Sequence, residues 1–360
     1  MKQNSLIMFA ISCLIMALFT LKASASDWDS TVAVARKEGR VVLYASSIGD
    51  DKQLLIKGFK NRYGIDLEFI LGRSAELVTK MVNERNNGIY AVDAGLQGLT
   101  TYFNQIRPLN VPVNLDPWLV LPEVTDTRRW RSVRLNWTDK DKTALTFCAI
   151  TVPYVSINTG MVKDSEVTSN EDTLAPKFKG RIVINDPTIA GNGAEWFSYI
   201  LLQALGREKG EQYMRELARQ DPMITRDQHL QAEWVARGKY ALGLGLTPSE
   251  VVKMAGSGAP IKYIKTKEGS PLTSGPMNIM VFDKAPHPNA TKVFVNWLLT
   301  DEGGDLAGRG SGYPSERIGV SKKSFDPITV PDRKDVLTGE EYKLAQDDMM
   351  KLAQKIFFSK

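Results

Sequence analysis

The sequence predicts an α/β fold in two lobes, and three observations predict it. Short apolar runs alternate with stretches of helical period, the pattern of a parallel sheet covered by helices. About 335 residues remain beyond an export-type N-terminal segment, more than one hydrophobic core usually holds. Polar clusters recur just after the apolar runs, where open α/β sheets hold ligands.

The N-terminal segment comes first. Lys2 precedes a nearly continuous apolar run from Leu6 to Phe19, and Ala23-Ser24-Ala25 follows as a small-x-small cleavage pattern. The segment reads as a signal peptide over residues 1–25, cut near Ala25, which sends the chain to the periplasm. The run is short for a bilayer span. An uncleaved anchor and a lipoprotein at Cys13 are the alternatives. Against the second, the apolar run continues past Cys13. No later segment is long and apolar enough to cross a membrane.

The strands and helices then follow in order. Val41–Ala45 is a buried parallel-type strand. A helix carries Leu55 and Phe59 and closes at Gly64, where glycine accepts a left-handed backbone. Ile65–Leu71 is the second strand, Ser74 is a candidate N-cap, and Leu77, Val78, Met81 and Val82 form the stripe of the next helix. Ile89–Ala94 reads as the third strand. Three prolines between Asn110 and Pro122 mark a loop. Further strands are expected at Arg181–Ile184, Tyr240–Leu246, Ile261–Ile264 and Met277–Phe282. Helices are expected at Ala194–Leu205, Glu208–Ala218, from Pro248, at Pro288–Leu306 and at Glu340–Phe357.

Composition excludes several functions. The hydrophobic share is 43% and the charged share 24%, ordinary for a globular chain. The net charge of +5 falls to +3 once Lys2 and Lys22 leave, too little and too scattered to argue for nucleic acid. Arg128, Arg129, Arg131 and Arg134 form the densest basic cluster, either a solvated face or a docking patch. Beyond the signal segment Cys148 stands alone, so neither an internal disulfide nor a cysteine-rich metal site is available. Its apolar neighbours predict a buried thiol. There is no C-x-x-C, H-E-x-x-H or G-x-S-x-G. Gly308–Gly312 follows a helix rather than a strand, which is wrong for a phosphate loop. His229 and His287 lie in no carboxylate cluster. The chain is therefore expected to be no enzyme and to hold no cofactor or metal. A secreted hydrolase with a triad assembled by the fold is the rival of another class.

The residues left to carry chemistry are Ser46 and Ser47 after the first strand, Arg73 and Ser74 after the second, and Asn192, Gly193 and Ala194 at a helix start. Helix N-termini attract negative charge, and a guanidinium matches a carboxylate or phosphate. For any one of them capping or a surface turn is the better account; their recurrence favours a ligand. Trp196 and Trp234 are either core residues or stacking platforms.

Several segments, read in order, resemble the iron(III)-type branch of the family-1 extracellular solute-binding proteins. They are Lys37–Tyr44, Arg73–Leu77, Phe178–Pro187, Ala236–Gly243, His287–Ala290 and Gly312–Pro314. The resemblance implies a type II periplasmic-binding fold, two α/β lobes with a ligand cleft and two crossing hinge strands, near Thr143–Val155 and Gly269–Met280. Lobe 1 would take residues 26–142 and 270–315 and lobe 2 residues 143–269, with a C-terminal helical segment at 316–360. It also implies a monomer that binds a small-molecule ligand and passes it to an ABC importer permease in the inner membrane. The departures bear on the ligand. Thr247-Pro248 stands where iron-binding members have two tyrosines, and Gln97 where they have an acid. Ferric iron wants oxygen anions. By the same resemblance Asn192, Gly193 and Ala194 match an anion-holding loop, and Gln228 an amide donor with Arg226 beside it. The expected ligand is a small organic anion: a phosphonate, phosphate ester or carboxylate. Ferric iron or an iron chelate is the alternative.

Overall fold

The structure, a computed structural model, describes residues 27–49, 51–246 and 248–358. The expected signal peptide, residues 1–25, lies outside the described residues.

The first lobe is built on a five-stranded sheet in the order β2-β1-β3-β12-β4. Its members are β1 (Arg40–Ala45), β2 (Asp66–Leu71), β3 (Ala94–Leu96), β4 (Leu145–Thr146) and β12 (Asn278–Val281). β1 pairs in parallel with β2 and β3, whereas β12 runs antiparallel to β3 and β4. Residues buried on both faces of β1 need helices on both sides. These are α1 (27–38), α2 (Gln53–Tyr63), α3 (Ser74–Asn86), α10 (Pro288–Leu298) and α11 (Asp301–Ser311), with short turns α4 (Leu99–Thr101) and α5 (Pro122–Thr125) between. Phe59 of α2 meets Phe294 and Trp297 of α10 at 5.3 Å between ring centroids, which ties the helices to one core.

The second lobe repeats the plan in the order β10-β6-β9-β7-β8. It contains β6 (Val155–Asn158), β7 (Ile182–Asn185), β8 (Met223–Thr225), β9 (Leu242–Leu244) and β10 (Ile261–Ile264). Its helices are α6 (Asn192–Tyr199), α7 (Arg207–Arg219), α8 (Gln228–Ala236) and α9 (Pro248–Gly256). The long C-terminal α12 (Glu340–Phe357) packs on α6 and α7, with Tyr342, Met349 and Ala353 in the core of this lobe.

Between the lobes lies a small sheet of β5 (Ile150–Thr151), β11 (Pro271–Thr273) and β13 (Val336–Leu337), in the order β13-β11-β5. The first two are the expected crossing strands. The third carries the chain from lobe 1 to α12, and nothing in its two residues announces a strand. One buried carboxylate binds all three crossings: Asp335 accepts from Thr151 Oγ (2.7 Å), Ser270 N (2.9 Å) and Asp332 N (2.8 Å). Beside them Glu340, at the start of α12, takes Arg107 of the first lobe at 2.7 Å and the Lys140 amide at 3.2 Å.

Three local expectations shift. Ser74 is the first helical residue and Arg73 the N-cap, without a side-chain cap; the Ser74 hydroxyl is spent on Gln97. The third strand is Ala94–Leu96, and Ile89, at its expected start, is an exposed residue following Gly88, which has a φ of +72°. The apolar stretch at 288–306 is two helices, because Thr300 caps the second with its hydroxyl on Gly303 N (3.2 Å). α11 then includes Gly308, Gly310 and Ser311 and ends at left-handed Gly312.

The basic cluster is largely neutralised from within. Arg128 pairs with Asp126, Arg129 with Asp301 at 2.8 Å, and Arg131 with buried Glu316. Cys148 is fully buried, and loss of hydration pushes its thiol pKa up, away from the reactive thiolate.

Candidate functional site

A cleft of about 670 Å³ opens between the lobes in front of the small central sheet. Lobe 1 supplies Ser46, Ser74 and the turn from Gly98 to Asn104; lobe 2 supplies Tyr154, Gly191 and one face of α6. The hinge lays Leu272 to Pro276 across its back, and the start of α12 closes a side with Tyr342 and Gln346.

Strand ends position the lobe 1 residues. Ser46 follows β1, and its amide donates to Leu96 O at 3.3 Å. Ser74 opens α3 after β2, and its hydroxyl donates to Gln97 Oε1 at 2.9 Å. Gln97 is buried behind it, held by Asn278 Nδ2 on its own carbonyl at 2.8 Å. Gln97 thus orients Ser74 and does not itself line the cleft.

On lobe 2 the chain turns sharply from β7 into α6. Gly191 has a φ of +148°, a region L side chains rarely adopt. A Cβ at Gly193 would press on the Asp186 carbonyl oxygen and lie 2.6 Å from that of Asn185. The Gly193 amide donates to Asn185 Oδ1 at 3.1 Å, so the helix start is pinned to the end of β7. This seats Ala194, Glu195 and Ser198 on the cleft while Trp196 and Phe197 enter the core.

The other expected residues lie outside this lining. Ser47 is exposed and accepts from Gly49 N at 3.4 Å. The Arg73 side chain is 88% exposed, with Glu76 at 3.8 Å. Arg226, 71% exposed, donates to Asp186 Oδ2 at 2.9 Å. Asn192 Nδ2 donates to Gln228 Oε1 at 3.4 Å. Thr247 lies outside the described residues. Trp196 is fully buried, and Trp234 packs at a tilt against Tyr240, with 5.7 Å between ring centroids, under Lys239; neither lines the cleft.

The cleft has residues that strand-end reasoning passes over. Ser198 stands four residues after Ala194 on α6, so continuing that face would have found it, whereas Glu195 is merely the next residue along. Tyr342 comes from a helix some hundred and fifty residues on, and only the fold brings it there. Tyr154 donates to Glu195 Oε2 at 3.2 Å. Glu195 is exposed on the cleft wall, and partial desolvation raises its carboxyl above the ordinary range, offset in part by Tyr154. Burial likewise drives the Tyr154 and Tyr342 phenols up, away from the tyrosinate form. Among the described residues no group of His, Cys, Asp and Glu is arranged to hold a metal. The two histidines are engaged elsewhere, His229 with Glu250 at 2.9 Å and His287 with Asp93 at 3.0 Å.

The model of a family described as "Bacterial extracellular solute-binding protein" matches residues 55–327, most of both lobes with the β5 and β11 crossings. The chain belongs to that family.

Solved structures show which fold this solute-binding protein has. A putative extracellular solute-binding protein from Bordetella parapertussis superposes with a TM-score of 0.67 at 15% identity, over 88% of this chain and 98% of that one. FutA from Trichodesmium, in complex with iron and citrate, gives 0.65 at 18%, over 89% and 100%. AfuA from Actinobacillus pleuropneumoniae, with fructose-6-phosphate bound, gives 0.51 at 21%, over 88% and 97%. The fold is the type II periplasmic-binding fold. No curated protein matches the sequence significantly.

Proposed function

We propose that this chain is the exported, periplasmic solute-binding component of an ABC importer, taking a small organic anion in the interlobe cleft and passing it unchanged to an inner-membrane permease. The observation that carries this reading is the cleft itself. It is walled by both lobes, backed by the hinge, and entered by the starts of α3 and α6. Helix N-termini present backbone N–H groups that favour an anion, and Ser46 lines the cleft beside the start of α3. Arg73 and Arg226 stand exposed near these helix starts, held by single carboxylates. A ligand bridging the two walls would bind the closed arrangement better and shift the population toward it, the form a permease would read. A phosphonate, phosphate ester or carboxylate fits these groups. The sugar phosphate in AfuA is one such ligand in a protein of like fold. Direct ferric iron fits less well, since it wants several oxygen anions and Glu195 is the one carboxylate among the described residues of the lining.

A thermal-shift screen of the protein lacking residues 1–25 tests this. The panel holds phosphonates, sugar phosphates, carboxylates, polyamines and ferric citrate. A ligand at a hundred times its dissociation constant adds about 2.7 kcal/mol, several degrees of melting temperature. A shift with one anion class and intact ligand recovered is the expected outcome. A shift with ferric salts alone, or a ligand recovered chemically altered, contradicts it.

A further inference from the structure

The charge excess of the whole chain is small, but the base of the second lobe concentrates it. β7, β8 and β9 run in parallel, with the cleft at their carboxyl ends beside Gly191 and Ala194. Their amino ends, on the far side of the lobe, gather basic residues. The Gly180 amide donates to Gln220 O at 2.8 Å, which sets Lys179 and Arg181 beside Arg219. The Ala241 amide donates to Arg181 O at 2.8 Å, which brings Lys239 alongside. All four residues are exposed, and none makes an ion pair among the described residues. The nearby Glu166 and Glu233 are taken by Lys177 and Arg237, while Asp221 stands exposed and unpaired. Helix C-termini attract cations, which accounts for Arg219 at the end of α7. Lys179, Arg181 and Lys239 belong to no α-helix, so that account does not reach them. Exposed methionines share the surface. Met223 opens β8, and a Cβ on Gly238 would lie 3.3 Å from the Met161 sulfur. The Lys239 ammonium stands 4.0 Å from the Trp234 ring centroid, a long stem laid on apolar surface of the kind that keeps its charge in water.

We propose that this face, centred on Lys179, Arg181, Arg219 and Lys239, docks reversibly on an anionic phospholipid surface. Four unpaired cations held together repel one another, and a dense layer of phosphate relieves that repulsion. Each Lys or Arg brought near such a surface strengthens partition about fivefold, so four together give several hundredfold. Met161 and Met223 add apolar contact between the head groups. Because the cleft lies at the opposite ends of the same strands, a chain held this way keeps its cleft open to solvent and loads its solute while it stays close to the membrane. Which membrane it meets rests on the periplasmic location proposed above; the lipid contact stands on this face alone.

Co-sedimentation of the protein lacking residues 1–25 with phosphatidylglycerol–phosphatidylcholine vesicles, against phosphatidylcholine alone, tests this without any solute. The expected result is binding to the anionic vesicles only, strong at low salt and lost in high salt as the charges are screened. The variant carrying Lys179→Gln, Arg181→Gln, Arg219→Gln and Lys239→Gln should bind at least a hundredfold more weakly. A control with the same charge change on the first lobe, Lys37→Gln, Lys57→Gln, Lys292→Gln and Lys323→Gln, should bind as the parent does. Should the fourfold variant melt lower, the pair Lys179→Gln and Arg181→Gln alone should still cost about 25-fold. No binding to anionic vesicles at low salt overturns the proposal and leaves the solute reading standing. Equal losses in the variant and the control mean that net charge rather than this face is responsible, and overturn it. Equal binding to neutral vesicles overturns the role of charge. Tighter binding to soluble polyglutamate than to vesicles of matched charge makes the partner an acidic polypeptide and overturns the lipid. Solute affinity in the thermal screen should be the same for the variant and the parent, since the cleft is at the other end of the sheet.

Discussion

Replacing Asp335 with alanine is expected to lower the unfolding free energy by about 3–5 kcal/mol, the usual cost of breaking a fully buried charged network. The side chain is buried among donors from each of the three segments that cross between the lobes. Thr151 belongs to β5, Ser270 immediately precedes β11, and Asp332 leads into β13. Lys265 stands at 3.7 Å and would be left facing a void. Alanine leaves one hydroxyl and two amides without an acceptor, and each unpaired buried donor costs about 1–3 kcal/mol before relaxation. Asparagine keeps one oxygen acceptor in place, so Asp335→Asn should lose less. Equilibrium urea unfolding of the three proteins measures this. The functional consequence is specific to the hinge: both lobes keep their own cores, so Asp335→Ala should also broaden the unfolding transition as the lobes part company. A loss below about 1 kcal/mol, the scale of an exposed pair, would mean that the crossings are held by strand pairing and packing alone.

Trp196→Ala is the second large effect, an expected loss of about 3–5 kcal/mol as for other buried large-to-small changes. Trp196 is fully buried in the second lobe. It sits on α6 beside Glu195, beneath left-handed Gly245, where an added Cβ would lie 3.5 Å from the indole ring. The same helix carries cleft residues on its other face, so a cavity here lets α6 shift and the cleft wall with it. Ligand affinity should fall along with stability. Phenylalanine refills part of the volume, and Trp196→Phe should recover part of both. Chemical denaturation and a calorimetric titration on each variant check the pair. An affinity loss with unchanged stability would instead mean that Trp196 touches the ligand.

Both effects bear on what a sequence can disclose. The sheets are legible because burial on two faces forces continuous apolar runs, as in Val41–Ala45 and Ile182–Ile184, and glycine marks the turns. The start of α12 at Glu340 is legible for a similar reason, as an amphipathic period begins there. The site is legible where it follows a strand end: Ser46, Ser74 and Ala194 line the cleft. It is not legible where a side chain's direction decides. Arg73 neighbours Ser74 in sequence, yet one faces water and the other the cleft. Gln97 and Gly193 each spend their polar groups on holding a neighbour in place. Tyr342 and β13 are invisible for another reason. Their roles come from contacts between elements far apart in the chain, β13 with β11 and α12 with α6, and no local pattern encodes such a contact.

Hydrogen exchange of the protein, with and without the ligand that the thermal screen selects, tests the central claim most directly, because it reports backbone protection peptide by peptide. A solute held between the lobes predicts slower exchange in peptides of both walls at once, Ser74–Thr101 in the first lobe and Gly191–Ser198 in the second, together with the hinge at Leu272–Pro276. Protection confined to one lobe, or to an outer face such as α7, would contradict an interlobe site and with it the proposed mode of delivery.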